Sequence, residues 1–169
     1  MNVVCGSGLN CVNQAAEMIL AGDAEIVVAG GRENMSMSPY AIPQGRFGYR
    51  MGNGTLVDTM VNDALTDAFH QYHMGITAEN IAKKWDISRK EQDEFAAYSQ
   101  EKAFWAREQG RFSEEIVPVT VKKKKETVLF EKDEGIRPGT TADSIARLRP
   151  AFLENGTVTA ANSSGINDG

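Results

Sequence analysis

The chain has 169 residues, 41% of them hydrophobic and 24% charged, with a formal net charge of −5. This length suits one well-buried domain, or a domain core with an excursion, on a prior of roughly 100–200 residues per domain. The acidic balance argues against a general nucleic-acid binder, which needs Lys and Arg clustered on one face, and no apolar run approaches the roughly 20 residues that span a bilayer.

Asn2 to Val4 is a short β-prone run, broken by Gly6-Ser7-Gly8, after which Leu9, Val12, Ala16, Ile19 and Leu20 recur at helical spacing until Gly22. Residues 25–29 (EIVVA) read as a buried strand closed by Gly30-Gly31, completing a βαβ-like unit and favouring a layered α/β core. From Arg32 to about Asn53 there is no period, and a long irregular loop is expected. Helices are expected over 58–69 and 77–85. Ser88-Arg-Lys-Glu91 has the spacing of a capping box, and the segment to Gln109 is helical until Gly110. Val117, Val119 and Val121 alternate as a strand, with 127–130 as its hairpin partner across the charged link Lys122 to Lys125. A short helix over 143–149 and a last strand over 157–161 follow, ended by the polar turn Asn162-Ser-Ser-Gly165. Both chain ends fall abruptly beside apolar runs, so an internal piece of a longer protein is expected.

The two cysteines, Cys5 and Cys11, are too few for a disulfide framework and give no metal-ligand spacing with His70 and His73. No metal, no secretory signal and a reducing cytoplasmic setting are therefore expected. Cys5 lies between a strand end and a helix start, where free backbone N–H groups and the helix dipole favour a thiolate. Gly6 and Gly8 leave room for a thioester to approach the sulfur. Position alone also suits a small buried hydrophobe. Cys11, six residues further along the helix, reads as a packing residue. A Cys5–Cys11 redox pair is disfavoured by roughly 9 Å of helical rise between them.

Val4-Cys5-Gly6-Ser7-Gly8-Leu9 resembles the nucleophile motif of thiolases. The likeness continues through Ala29-Gly-Gly-Arg-Glu-Asn-Met-Ser36, His73-Met-Gly-Ile-Thr-Ala-Glu-Asn80, Ser88 to Asp93, Leu148-Arg-Pro-Ala-Phe152 and Thr157 to Gly169. It covers the whole chain and is nearest to the acetyl-CoA acetyltransferase, or biosynthetic, kind. The resemblance implies an α/β fold: part of a layered thiolase core domain (1–34), an α+β loop-domain excursion (35–155) and a return strand to the core (156–169).

It also implies Claisen chemistry on thioesters, with Cys5 as the acyl-accepting nucleophile of a protein that condenses two acetyl-CoA molecules to acetoacetyl-CoA or runs the reverse thiolysis. His73 and Met74 match residues lining the pantetheine tunnel, and the histidine favours a short acyl substrate. Arg137 and Ser144 match positions near the adenine and phosphate end of CoA. Ser164 matches a serine that hydrogen-bonds pantetheine, while Phe152 and Ala160 match apolar tunnel positions, with Leu65 a further candidate for that lining. Arg32, Ile76 and Ser163 stand where the family often has other residues. The family's second cysteine, histidine and asparagine belong to motifs that do not occur in this chain. Condensation by the chain alone is therefore not expected.

Coenzyme A thioesters are substrates in this reading, and no cofactor is implied. The whole protein is expected to be a cytoplasmic homodimer or tetramer with no nucleic-acid or membrane partner. The competing readings are a degradative 3-ketoacyl-CoA thiolase with a wider pocket and a non-catalytic CoA-binding or interaction fragment.

Overall fold

In the computed structural model, which describes residues 1–124 and 126–168, regular structure forms where its hydrogen-bonding partners are local. Helix α1 (Ser7–Ala21) ends where Gly22 enters the left-handed region at φ 80°. The Gly22 and Asp23 amides donate to the carbonyls of Ile19 and Met18, a Schellman closure that only glycine adopts without a Cβ penalty. Strands β1 (Tyr40–Ala41) and β2 (Val57–Asp58) pair antiparallel, Tyr40 opposite Asp58 and Ala41 opposite Val57.

Helix α2 (Met74–Lys84) starts three residues earlier than expected. It closes with the Ile87 amide donating to the Ala82 carbonyl while Asp86 takes φ 53°. Helix α3 (Arg89–Glu108) has the expected capping box: the Glu91 amide donates to Ser88 Oγ, and the Ser88 amide donates to the Glu91 carboxylate. Strands β3 (Val119–Lys123) and β4 (Glu126–Phe130) form the expected hairpin, in register from Val119 opposite Phe130 to Lys123 opposite Glu126. Lys122 and Lys123 thus belong to a strand rather than to a link, and Lys125 lies outside the described residues. Helix α4 (Ala142–Ile145) is shorter than expected, with its own box between Thr141 and Ser144.

Four expected elements are corrected. No strand forms over 2–4, where Val4–Gly6 is a 3-10 turn. None forms over 25–29, where Val28 is 96% exposed. None forms over 157–161 either. A strand needs a neighbour to take its N–H and C=O groups, and among the described residues no strand runs beside these three. The helix expected over 58–69 is instead the end of β2 and a π-helical turn, Met60–Ala64, in which the Leu65 amide reaches back to the Met60 carbonyl. Asp58 Oδ1 accepts the Met60 and Val61 amides at 3.0 and 3.4 Å and so starts this turn.

The described residues divide into two compact units, Met1–His73 with Ile166–Gly169, and Met74–Gly165. In the first unit Leu9, Val12, Ile19 and Leu20 of α1 are exposed, Leu20 to 87%, as are Ile26 and Val28. Burial in the second unit centres on Ala82, Ile145, Val158 and Thr159, where α2 and α3 hold the 157–163 segment and α4 packs on α3.

Candidate functional site

Cys5 lies in the 3-10 turn that feeds α1, and its side chain is exposed. The turn is held from both sides. Ser7 Oγ accepts the Val3 amide at 2.9 Å and donates to the Val4 carbonyl at 2.7 Å, while Asn2 Oδ1 accepts the Val4 amide at 2.8 Å. Val4 has φ 54°, a left-handed conformation that costs a β-branched residue about 1–3 kcal/mol. The strained residue stands immediately before Cys5, and the surrounding hydrogen bonds keep it there. Gly8 has nothing within 4 Å of where a Cβ would sit, so the space beside the sulfur's turn is open. Cys11 is half-buried on α1, and both thiols are free.

Leu65, which closes the π-helical turn, and His73 are half-buried in the same unit. Thr66 pairs with His73 in an isolated antiparallel bridge. The loop between them is organised by Asp67, whose Oδ2 accepts the His70 amide at 2.6 Å and the Phe69 amide at 3.0 Å and meets His70 Nδ1 at 3.1 Å. These contacts, the His70 amide first, hold the Asp67 carboxyl below the usual carboxylate range. His70 stacks on Tyr72 with ring centroids 5.5 Å apart. His70 thus joins the loop through its amide and its exposed ring.

In the second unit Met74 opens α2 and is partly exposed, while the next residue, Gly75, is buried. The Phe152 ring packs so closely on Gly75 that a Cβ there would overlap it. Two expected tunnel residues, Met74 and Phe152, are thereby brought to one place. The Ala151 amide donates to the Val158 carbonyl at 2.9 Å and ties Phe152 to the segment carrying Ala160 and Ser164.

That segment is held by two carboxylates that sequence reasoning passed over. Glu79 of α2, only 6% exposed, accepts the Thr157 amide at 2.9 and 3.0 Å, the Thr157 hydroxyl at 3.0 Å and the Val158 amide at 2.8 Å. Burial by itself raises the Glu79 pKa, but the amides of Thr157 and Val158 and the Thr157 hydroxyl outweigh it and hold the carboxyl below its ordinary range. Asp93 of α3, 2% exposed, accepts Arg89 Nε at 2.7 Å and Asn162 Nδ2 at 2.9 Å. Asn162 Oδ1 in turn accepts the Thr159 amide at 2.7 Å, and Ser163 Oγ donates to the Thr159 carbonyl at 2.7 Å. Thr159 is fully buried, whereas Ala160 and Ser164 stay exposed on the same turn. Glu79 and Asp93 both fall inside stretches quoted for the thiolase resemblance, which was the available signal.

Arg89 also donates to the Ile145 and Ala146 carbonyls at 3.0 and 3.2 Å and docks α4 on α3. The Ser144 hydroxyl is engaged at the start of α4, donating to the Thr141 carbonyl at 2.7 Å and accepting the Thr141 amide at 3.0 Å. Arg137 is exposed, and its amide donates to Gln100 Oε1 of α3 at 2.8 Å. Among the described residues its guanidinium makes no ion pair. The Thr77 hydroxyl of α2 is buried without a hydrogen-bond partner among the described residues.

A groove of about 1040 Å³ lies in the second unit between the end of α3 and the hairpin, lined by Ala103, Phe112, Ile116, Val119, Phe130 and Ile136 among others. None of the expected site residues lines it. Among the described residues no group of three His, Cys, Asp or Glu side chains could hold a metal ion, and no helix is long and apolar enough to cross a membrane.

The Cys5 turn, the packed pair Gly75–Phe152 and the carboxylate-held 157–163 segment sit in an α/β fold shared with known acyltransferases. The structure matches that of the Bacillus anthracis acetyl-CoA acetyltransferase with a TM-score of 0.91 and 46% identity over 97% of this chain and 41% of that one. It matches the acetyl-CoA acetyltransferase of Syntrophomonas wolfei at 0.92 and 44%, with the same coverage. The family model for the thiolase N-terminal domain matches residues 1–169, and the chain belongs to the thiolase family. It is 59% identical to the acetyl-CoA acetyltransferase of Chromobacterium violaceum and 58% identical to that of Cupriavidus necator, in each case over 100% of the chain. The chain spans 43% of the length of these two relatives.

Proposed function

We propose that the whole protein is an acetyl-CoA C-acetyltransferase that condenses two acetyl-CoA molecules to acetoacetyl-CoA, or cleaves acetoacetyl-CoA with CoA, through an acyl-Cys5 intermediate. The observation that carries this reading is the match of the thiolase N-terminal model to the full chain, with the strained, exposed Cys5 turn at the motif that resembles the family nucleophile. In the first half-reaction the Cys5 sulfur attacks the acetyl carbonyl, the carbonyl–sulfur bond to CoA breaks, and CoA leaves as its thiol. In the second, the α-carbon of another acetyl-CoA, having lost a proton, attacks the acetyl carbon and frees the Cys5 thiol. Splitting the transfer in this way replaces one difficult step by two easier ones.

Leu65, His73, Met74, Phe152, Ala160 and Ser164 would line the path of the acyl group and pantetheine, and Arg137 and Ser144 would meet the nucleotide end. No cofactor enters this reading. The working form would be a cytoplasmic homodimer or tetramer with no nucleic-acid or membrane partner, and the 1–34, 35–155 and 156–169 segments would be core, excursion and return to the core. Kinetics of the whole protein test it. Acetoacetyl-CoA thiolysis should be lost in Cys5→Ala, and a long-chain 3-ketoacyl-CoA should be cleaved more slowly than acetoacetyl-CoA. Equal or faster cleavage of the long chain would instead favour a degradative thiolase.

The exposed apolar side chains of α1 and of residues 26 and 28 support a second reading for the 169-residue chain by itself: it binds or packs without completing condensation. Turnover of acetoacetyl-CoA by the purified chain would refute that.

A further inference from the structure

We propose that Glu79 is a positioning residue for the thioester substrate: it sets the turn that presents Ala160 and Ser164 to the pantetheine arm of CoA. This inference rests on the acetyltransferase reading above and adds to it a residue that touches no substrate.

The 157–161 stretch has the composition of a strand, yet no strand runs beside it among the described residues, and its amides must find acceptors elsewhere. Glu79 supplies them. Three donors converge on its carboxylate: the amides of Thr157 and Val158 and the hydroxyl of Thr157. A carboxylate is suited to this because it is acceptor-only and offers both oxygens, whereas an alcohol or amide would bring a donor of its own. The fit is close, since a Cβ on Gly156 would overlap Glu79 Oε1 and displace the carboxylate from the turn. The other end of the turn is fixed through Asn162, which bridges the Thr159 amide to Asp93.

The pattern of exposure follows from these anchors. Val158 and Thr159 are drawn inward while Ala160 and Ser164 remain on the surface. Glu79 therefore anchors, through Thr157 and Val158, the start of the turn that carries the residues expected to meet pantetheine. Its placement on α2 also couples them to Met74 and to Gly75 under Phe152.

The test uses the whole protein with Glu79→Ala, Glu79→Asp and Glu79→Gln and two substrates: acetoacetyl-CoA, and S-ethyl acetothioacetate, which has no pantetheine. Glu79→Ala and Glu79→Asp, the second too short to reach the turn, should raise KM for acetoacetyl-CoA by about tenfold, the equivalent of about one good contact. Their turnover of the S-ethyl thioester should stay within about twofold of the parent. Glu79→Gln keeps the oxygen that accepts both amides but turns an NH2 donor toward Thr157, and its KM should fall between those of the parent and Glu79→Asp. If Glu79→Ala does not fold, the contrast between Asp and Gln decides. An unchanged KM in Glu79→Asp, or parallel losses on both thioesters, would overturn the proposal. An unsubstituted protein that folds but turns over neither thioester would instead overturn the acetyltransferase reading. In that event amide exchange at Thr157 and Val158 still tests the clamp, which requires faster exchange in Glu79→Asp than in the parent.

Discussion

Replacing Asp93 by alanine removes the acceptor that joins Arg89 of α3 to Asn162 of the 157–163 turn. Two hydrogen bonds to a charged acceptor vanish, Arg89 Nε at 2.7 Å and Asn162 Nδ2 at 2.9 Å, and bonds of this type contribute about 1.5–3 kcal/mol each. Breaking a buried ion pair by removing one partner typically costs about 3–5 kcal/mol. Arg89 moderates this, because its side chain is 24% exposed and keeps the Ile145 and Ala146 carbonyls. Asn162 likewise keeps the Thr157 carbonyl at 3.1 Å. The expected loss is therefore about 2–4 kcal/mol, at or below the usual range for such pairs. With a urea slope of about 2 kcal/mol per molar, the unfolding midpoint should fall by about 1–2 M. Far-UV circular dichroism of the purified chain reads the transition. Asp93→Asn, which retains one oxygen of similar reach, should fall between the two. A loss below about 0.5 kcal/mol, the scatter of ordinary surface substitutions, would refute the idea that this carboxylate organises the unit.

Gly75→Ala should destabilise by about 1–3 kcal/mol through overlap with the Phe152 ring, exceeding the helix-propensity gain of up to about 1 kcal/mol, and Phe152→Leu should relieve part of the loss in a double-mutant cycle. Gly22→Ala, forced into φ 80°, should cost about 1 kcal/mol in the same urea assay. Because the Glu79 pKa is lowered in the folded chain, its contribution is fully present above the unfolded value near 4.5 and is lost as pH falls through the folded value. The acid limb of stability below about pH 4.5 should therefore be shallower in Glu79→Gln than in the parent. An identical acid limb would contradict the assignment.

Local signals were the legible ones. The Ser88–Glu91 box needs only residues three apart, and the β3–β4 hairpin needs only alternation on either side of a short link, so both formed where the sequence placed them. The Thr141–Ser144 box escaped notice because serine, rather than Glu or Gln, closes it. The strands read at 2–4, 25–29 and 157–161 depend on distant partners. Without a neighbour among the described residues, their β-prone side chains do not make a ladder. The π-helical turn at Met60–Ala64 was hidden by an apolar spacing that an α-helix shares.

The candidate site divides in the same way. Cys5, His73 and Met74 were identified through motifs of contiguous residues. Glu79 and Asp93 were not singled out, because an acidic residue on a helix ordinarily reads as part of a solvated face. Only the fold brings Thr157 and Asn162 to them, across 78 and 69 positions of sequence.

Acetylation of Cys5 tests the central claim most directly. The whole protein, incubated with acetyl-CoA alone, quenched in acid and digested, should carry an acetyl group on the Cys5 peptide and none on Cys11, and the label should disappear when CoA is added. A protein that cleaves acetoacetyl-CoA while Cys5 remains unmodified, or that is labelled equally at Cys11, would contradict it.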